Sequence, residues 1–322
     1  MCWRPASGKR SWRSAYEAAI TVRILVTGSS GWLGQTLVPR LRRDGHTVVG
    51  LDPEPAASTT AVGSVVDRGQ VRQLIRDHGI TAIVHAAARH KPHIETHDNS
   101  EFVAVNVQGT LNLLEEAIEA RVDRFVFTST TSLMISQQIR DGRSAGARKA
   151  VWIDETLSPL KPRNIYGVTK FAAEELCRLF HHLHKLPILV LRTSRFFPEE
   201  DDMAHAIAQS GENTKANEFL FRRLTVEDVA ESHVVALGKA PELGFDTFIV
   251  SSMTPFSPAD CHELLVDAPS VVARYFPDYR AKYARHGWTM FDSIDRVYDA
   301  SKAARVLGFR CRTGFREILD AL

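Results

Sequence analysis

Tyr166-Gly167-Val168-Thr169-Lys170 sets a phenol and an ammonium four residues apart, which on a helix puts both on one face. A phenol with a reference pKa of about 10 is a poor base, but a neighbouring cation favours its phenolate. Tyr166 and Lys170 together could therefore take a proton from a substrate alcohol as hydride leaves the same carbon. Upstream, Thr128-Ser129-Thr130-Thr131-Ser132 supplies consecutive hydroxyls, any of which could hold the substrate oxygen toward the phenolate. The same residue types also suit an ordinary turn.

A departing hydride needs an acceptor, and Thr27-Gly28-Ser29-Ser30-Gly31-Trp32-Leu33-Gly34 offers a place for one. Glycines between a strand and a helix let the turn tighten, bring backbone N–H groups up to a pyrophosphate and pack the helix on the strand, with the helix N-terminus facing the anion. The spacing is Gly-x-x-Gly-x-x-Gly, so its position at the first strand-to-helix turn carries more weight than the pattern itself. Leu51-Asp52 ends the next strand, where a carboxylate can accept from adenosine ribose hydroxyls and repels a 2′-phosphate. No Lys or Arg occurs between Asp52 and Asp67, which favours NAD over NADP. Asp67 could reach the adenine, or could cap a helix.

These groups need a sheet to hold them. β-branched runs at Val22–Thr27, Thr47–Leu51, Ile80–His85, Arg124–Thr128, Ile188–Arg192 and Phe245–Val250 alternate with helical stretches at Leu33–Asp44, Gln70–His78, Glu101–Ala120 and Ile165–His184. That rhythm predicts an α/β fold, a doubly wound parallel sheet with helices on both faces. Residues 21–192 form the expected dinucleotide-binding domain, with 226–253 returning to it; 193–225 and 254–322 form a smaller, irregular C-terminal substrate domain. The polar stretch from Ile135 to Ala150 reads as a mobile surface loop, and residues 1–20 as a disordered extension without the apolar core of a secretory signal.

Composition narrows the partners. With 322 residues, 44% hydrophobic and 24% charged, the chain can bury a large core, and 40 basic against 38 acidic side chains leaves only +2. Such balance argues against nucleic acid or a membrane surface and for a small molecule. The apolar stretch Ile80–Ala88 is under half the roughly 20 residues a membrane span needs. Cys2, Cys177, Cys261 and Cys311 form no CxxC pair, which suits a cytoplasmic setting. His90, His93 and His97 lie in one polar segment, but no carboxylate or cysteine pattern completes a metal site, so none is expected. His93, following the third strand, should border the substrate, and Arg195 and Arg222 are candidates for an anionic substrate group.

To the glycine turn, Asp52, the hydroxyl run and Tyr166-x-x-x-Lys170 the chain adds His85-Ala86-Ala87-Ala88, Asn106-Val107-x-Gly109-Thr110-x-Asn112-Leu113, Val226-Glu227-Asp228-Val229-Ala230 and Asp299-Ala300-Ser301-Lys302-Ala303. In this order they resemble the NAD-dependent epimerase/dehydratase family of extended short-chain dehydrogenases/reductases, from about Val22 to the C-terminus. The resemblance implies a Rossmann sheet with Gly28, Gly31 and Gly34 around the pyrophosphate and Ser30, Trp32 and Leu33 beside them, Asp52 at the ribose and Asp67 at the adenine. It implies backbone contacts from Ala86, Ala87 and Ala88, and Asn106 near the nicotinamide. Tyr166 would be the acid/base, Lys170 would hold the nicotinamide ribose, and Thr130 would be the catalytic hydroxyl, with Thr131 next to the substrate. A homodimer would form through Glu101–Ala120 and Ile165–His184.

Two departures narrow the activity. Family dehydratases carry an acidic pair after the catalytic Thr, where this chain has Thr131 and Ser132. Nucleotide-sugar epimerases usually place an Asn in the stretch that here reads Arg192-Thr193-Ser194-Arg195-Phe196-Phe197-Pro198, and Glu199 to Asp202 would repel a diphosphate if they faced inward. The leading expectation is epimerisation of a sugar-like polyol through a transient ketone. Its rivals are net dehydrogenation of an alcohol or sugar, and an NAD-sensing regulator without catalysis.

Overall fold

The computed structural model describes residues 21–144, 147–197 and 209–322. The expected extension at 1–20 and the acidic stretch Glu199 to Asp202 lie outside the described residues.

β1 (Arg23–Thr27) leads through the glycine turn into α1 (Trp32–Arg43), followed by β2 (Thr47–Asp52), the two-residue β3 (Ala61–Val62), α2 (Arg68–Asp77) and β4 (Ala82–His85). After a 3-10 turn at Lys91–Glu95, α3 (Asn99–Phe102), a π-helical segment (Val103–Gln108) and α4 (Gly109–Glu119) run on continuously, where the sequence predicts one regular helix. β5 (Arg124–Thr130) extends two residues beyond its predicted end. Next come α5 (Gln137–Arg140), the hairpin β6 (Arg143–Ser144) and β7 (Ala147–Arg148), and β8 (Val151–Ile153). α6 (Ile165–His184), β9 (Ile188–Thr193), α7 (Gly211–Glu218), α8 (Val226–Leu243) and β10 (Phe245–Val250) follow. The chain closes with α9 (Cys261–Val266), α10 (Ala268–Tyr275), α11 (Tyr279–His286), β11 (Arg296–Tyr298) and α12 (Phe315–Asp320).

Seven strands form one parallel sheet in the order β10-β9-β5-β4-β1-β2-β3. The fold is therefore a doubly wound Rossmann sheet whose strand order reverses between β1 and β4, the crevice where such sheets bind ligands. The two-residue period of a strand splits its side chains between two cores. Ile24 and Val26 of β1 and Leu189 and Leu191 of β9 pack with α1 and α8; Leu25, Ile188 and Val190 pack with α2, α4 and α6. A third core joins Phe219, Leu220 and Phe221 to Leu264, Val272, Tyr283, Phe291 and Phe315 of the C-terminal part. β11 pairs with β8 in a small separate sheet. None of the described helices is long and apolar enough to cross a membrane.

The segment from Ile135 to Ala150 corrects the expectation of a plain polar loop. Ile135, Ile139 and Ala150 are buried, and Ile135 and Ile139 share a core with Leu133, Val151 and Tyr298. Its many charges hid three apolar anchors.

Candidate active site

A cavity of about 1040 Å³ opens along the carboxyl ends of β1, β4, β5 and β9, lined from Gly28 and Asp52 at one end to Arg222 and Tyr298 at the other. Pockets for drug-sized ligands span about 300–1,000 Å³, so this one has room for a dinucleotide and a second molecule.

The glycine turn fits a pyrophosphate for steric reasons. Gly28 has φ +74°, and a Cβ there would stand 2.7–2.9 Å from the Ala86 and Ala87 backbone. A Cβ on Gly34 would lie 2.3 Å from the Gly28 carbonyl oxygen, so Gly34 serves the packing of α1 on β1 and does not line the cavity. Gly28, Ser30, Gly31, Trp32 and Leu33 do line it. The N-terminus of α1 carries no side-chain cap and no acidic residue in its first turn, which keeps its amides directed at an anion. Asp52 Oδ2 accepts from Ser30 N–H and Oδ1 from Glu54 N–H, both at 3.0 Å, so the carboxylate is fixed beside the glycine turn.

Two other sequence candidates stand apart from the cavity. Asp67 caps α2, its Oδ1 accepting from Gln70 N–H at 3.0 Å. Asn106 is buried in the π-helical segment, its Oδ1 accepting from Arg89 N–H at 2.8 Å and its Nδ2 donating to Arg89 O and Thr169 Oγ1. Neither is among the lining residues, whereas Ala86, Ala87 and Ala88 are.

Tyr166 and Lys170 both line the cavity from the first turns of α6, which Asn164 caps by accepting from Gly167 N–H at 2.9 Å. Lys170 is 2% exposed, and its Nζ sits 3.9 Å from the centroid of the Phe127 ring. Burial lowers its pKa to about 7, against an opposing pull from Glu174. Glu174, one turn further along α6, is buried and bound by Arg192 Nη2 at 2.7 Å and by the Ser129 hydroxyl at 2.5 Å. Thr130 pairs with Thr193 across β5 and β9, and its Oγ1 accepts from Ser132 N–H at 3.1 Å, leaving its own proton to give to a ligand oxygen. Thr131 also lines the cavity and donates to Thr193 O at 3.4 Å.

At the far end His93, Arg195 and Arg222 line the cavity, joined by Arg140, Arg163 and Arg296. Buried Glu218 organises two of these arginines, with Arg222 Nη2 at 2.7 Å and Arg195 Nη1 at 3.6 Å. A guanidinium is a planar fork of N–H donors whose geometry matches a carboxylate or a phosphate. The loop after β4 brings its histidines together: the His90 ring stacks on Phe197 at 5.0 Å, and His93 Nδ1 accepts from His90 N–H. Burial first, then His93 and Arg89, lowers the His90 pKa to about 4. Among the described residues, no three His, Cys, Asp or Glu side chains are grouped so as to hold a metal ion. Sequence reasoning missed Arg163, three residues before Tyr166, and Arg296 with Tyr298, which reach the cavity through the pairing of β11 with β8. Proximity to Tyr166 could have flagged the first; nothing local marks the others.

The sequence profile of the NAD dependent epimerase/dehydratase family matches residues 24–244. A low-salt glycan biosynthesis protein of Haloferax volcanii is 32% identical over 189 residues, 54% of this chain, so that the match spans little more than half of that relative, 56%. A UDP-glucose 4-epimerase of Mycolicibacterium smegmatis is 26% identical over 327 residues, 92% of this chain and 96% of the relative. The solved UDP-glucose 4-epimerase of Thermotoga maritima with UDP-glucose superimposes with a TM-score of 0.66 at 19% identity, covering 92% of this chain and 96% of that one, a likeness of fold.

Proposed function

The chain belongs to the NAD dependent epimerase/dehydratase family, and we propose that it epimerises a sugar or sugar-like polyol bearing an anionic group, through a transient ketone. The carrying observation is that Tyr166, Lys170 and Thr130 line one cavity continuous with the glycine turn. NAD, when bound, would supply a reversible acceptor for the hydride. Gly28, Gly31 and the α1 N-terminus hold its pyrophosphate, and Asp52, with Glu54 beside it in the lining, selects NAD over NADP by repelling a 2′-phosphate.

Tyr166, as phenolate, removes the hydroxyl proton and later gives it back to the ketone oxygen. Lys170 favours the phenolate by its charge, and Thr130 donates a hydrogen bond that holds the reacting oxygen. Inversion requires the ring to present its other face, and the broad cavity gives it room to turn. Thr131 and Ser132, at the places of the dehydratases' acids, offer hydroxyls too weakly acidic to expel water, which speaks against dehydration. The arginines at the far end favour a phosphate, diphosphate or carboxylate on the substrate. His93 meets the sugar, and two copies join through α4 and α6.

The test is to incubate the purified protein with neutral sugars, sugar phosphates and nucleoside diphosphate sugars, following products by NMR and NADH by absorbance. Isomer formation without net NADH supports the proposal. Stoichiometric NADH release makes it a dehydrogenase, and faster turnover of neutral sugars removes the anionic group from the reading.

A further inference from the structure

His85 is fully buried at the end of β4, packed by the rings of Phe125 and Phe127, and is not among the residues that line the cavity. Its two ring nitrogens are both engaged: Nδ1 with Thr27 Oγ1 at 2.7 Å and Nε2 with Thr110 Oγ1 at 3.0 Å. The direction of each bond follows from its neighbours. Thr110 spends its only proton on the Asn106 carbonyl at 2.7 Å, an atom that can only accept. Facing His85, the Thr110 oxygen must therefore accept, and Nε2 must carry a proton. In a neutral imidazole Nδ1 is then bare and takes the proton of Thr27. Thr27 Oγ1 is left to accept from Ala87 N–H, which it does at 3.3 Å.

The result is one unidirectional chain: Ala87 N–H to Thr27, Thr27 to His85, His85 to Thr110, Thr110 to Asn106 O. Asn106 continues it through its side chain, gripping both backbone groups of Arg89 and the hydroxyl of Thr169, the residue before Lys170. The loop that floors the cavity is thus pinned at Ala87 from one end of the chain and at Arg89 from the other, and the same chain reaches the helix bearing Tyr166 and Lys170. A protonated His85 would present a donor to Thr27 and reverse the order at that link. It would also set a second cation across Phe127 from Lys170; burial, then Lys170, lowers the His85 pKa well below its ordinary value.

We propose that His85 is a positioning residue: held neutral and as the Nε2–H tautomer between Thr27 and Thr110, it fixes the Ala86–Arg89 floor against the Tyr166–Lys170 helix so that the cofactor meets a preformed surface. The proposal rests on the NAD-binding reading of the cavity. It differs from a packing role, because the hydroxyl protons and not the side-chain volumes carry it.

Paired substitutions at the flanking threonines separate the two. Thr27→Val keeps shape and removes the hydroxyl, and Thr27→Ser keeps the hydroxyl; Thr110→Val and Thr110→Ser repeat the comparison. Calorimetric NAD binding should weaken about tenfold in each Val variant, a shift of about 1.4 kcal/mol, and recover in each Ser variant. His85→Phe should weaken binding at least as much, and adding Thr110→Val to it should cost little more, because the chain is already cut. Amide exchange at Ala87 and Arg89 in the ligand-free protein should quicken in the Val variants alone. Equal NAD affinity in Val and Ser variants, or unchanged exchange at both amides, overturns the positioning role. Failure of the unaltered protein to bind NAD would instead strike the reading beneath it, and the exchange comparison would still decide the role of the chain.

Discussion

Stripping the Lys170 ammonium of water costs more than its neighbours return, which is why its pKa falls to about 7. The unfolded chain holds that proton up to about 10.4, so between about 7 and 10.4 the unfolded state binds more protons and stability rises with pH. Below about 7 the penalty of the buried charge is present in full. Lys170→Met, which keeps the contact with Phe127, should therefore melt higher than the parent near about pH 6, with the gain shrinking toward about pH 9, while turnover collapses. Thermal melts across that range check it, and a variant that melts lower at every pH would show the ammonium to be stabilising. Tyr166→Phe belongs to the same scale. It should cut turnover by about 10²–10⁴ while NAD affinity, measured by calorimetry, stays near the parent's. Unchanged turnover would move the proton to another group, and a protein that binds NAD yet turns over no substrate in either form would revive the regulator.

Elements here are joined at points that tolerate substitution unequally. α1 meets β1 at Gly34, where a Cβ would sit 2.3–2.5 Å from Gly28 and Ser29 backbone atoms, while Gly31 has 3.4 Å to its nearest neighbour. Gly34→Ala should cost about 1–3 kcal/mol through overpacking, and Gly31→Ala much less, as denaturant midpoints will show. α6 meets β9 through the buried pair Glu174–Arg192, reinforced by Ser129. Arg192→Met leaves a buried carboxylate without its cation, an expected loss of about 3–5 kcal/mol, and adding Glu174→Gln should restore much of it. A double variant as unstable as the single one would refute this account. Element existence was readable because strand runs and helical periods are local properties. The π-helical segment was not, since the hydrogen bonds that widen a helix leave no mark on its apolar spacing. Asp67 shows a related limit: one carboxylate fits two roles, and the amide of Gln70 standing 3.0 Å away shows only the capping one.

Across the whole molecule, legibility fell with distance along the chain. The glycine turn, Asp52 and Tyr166-x-x-x-Lys170 were readable because each is a short pattern beside a strand or on a helix. Arg296 and Tyr298 enter the cavity only because β11 pairs with Val151–Ile153, more than a hundred residues earlier, and no local pattern encodes that pairing. The surface away from the cavity raises the remaining question of assembly. Val168, Leu179 and Leu183 on α6 stand 48%, 47% and 59% exposed, and spacings of eleven and four residues put them on one face. Val103, on the π-helical segment packed against α6, is 47% exposed as well. Such a stripe on the two helices that the family resemblance assigns to a dimer is where a second copy should bind, burying apolar area at about 25 cal/mol per Å². Leu179→Glu with Leu183→Glu would place four carboxylates in a twofold interface, so the variant should sediment as a monomer while unfolding at nearly the parent's denaturant midpoint once both are monomeric. A parent that is already monomeric at every concentration, or a variant whose mass is unchanged, would remove this face from the assembly.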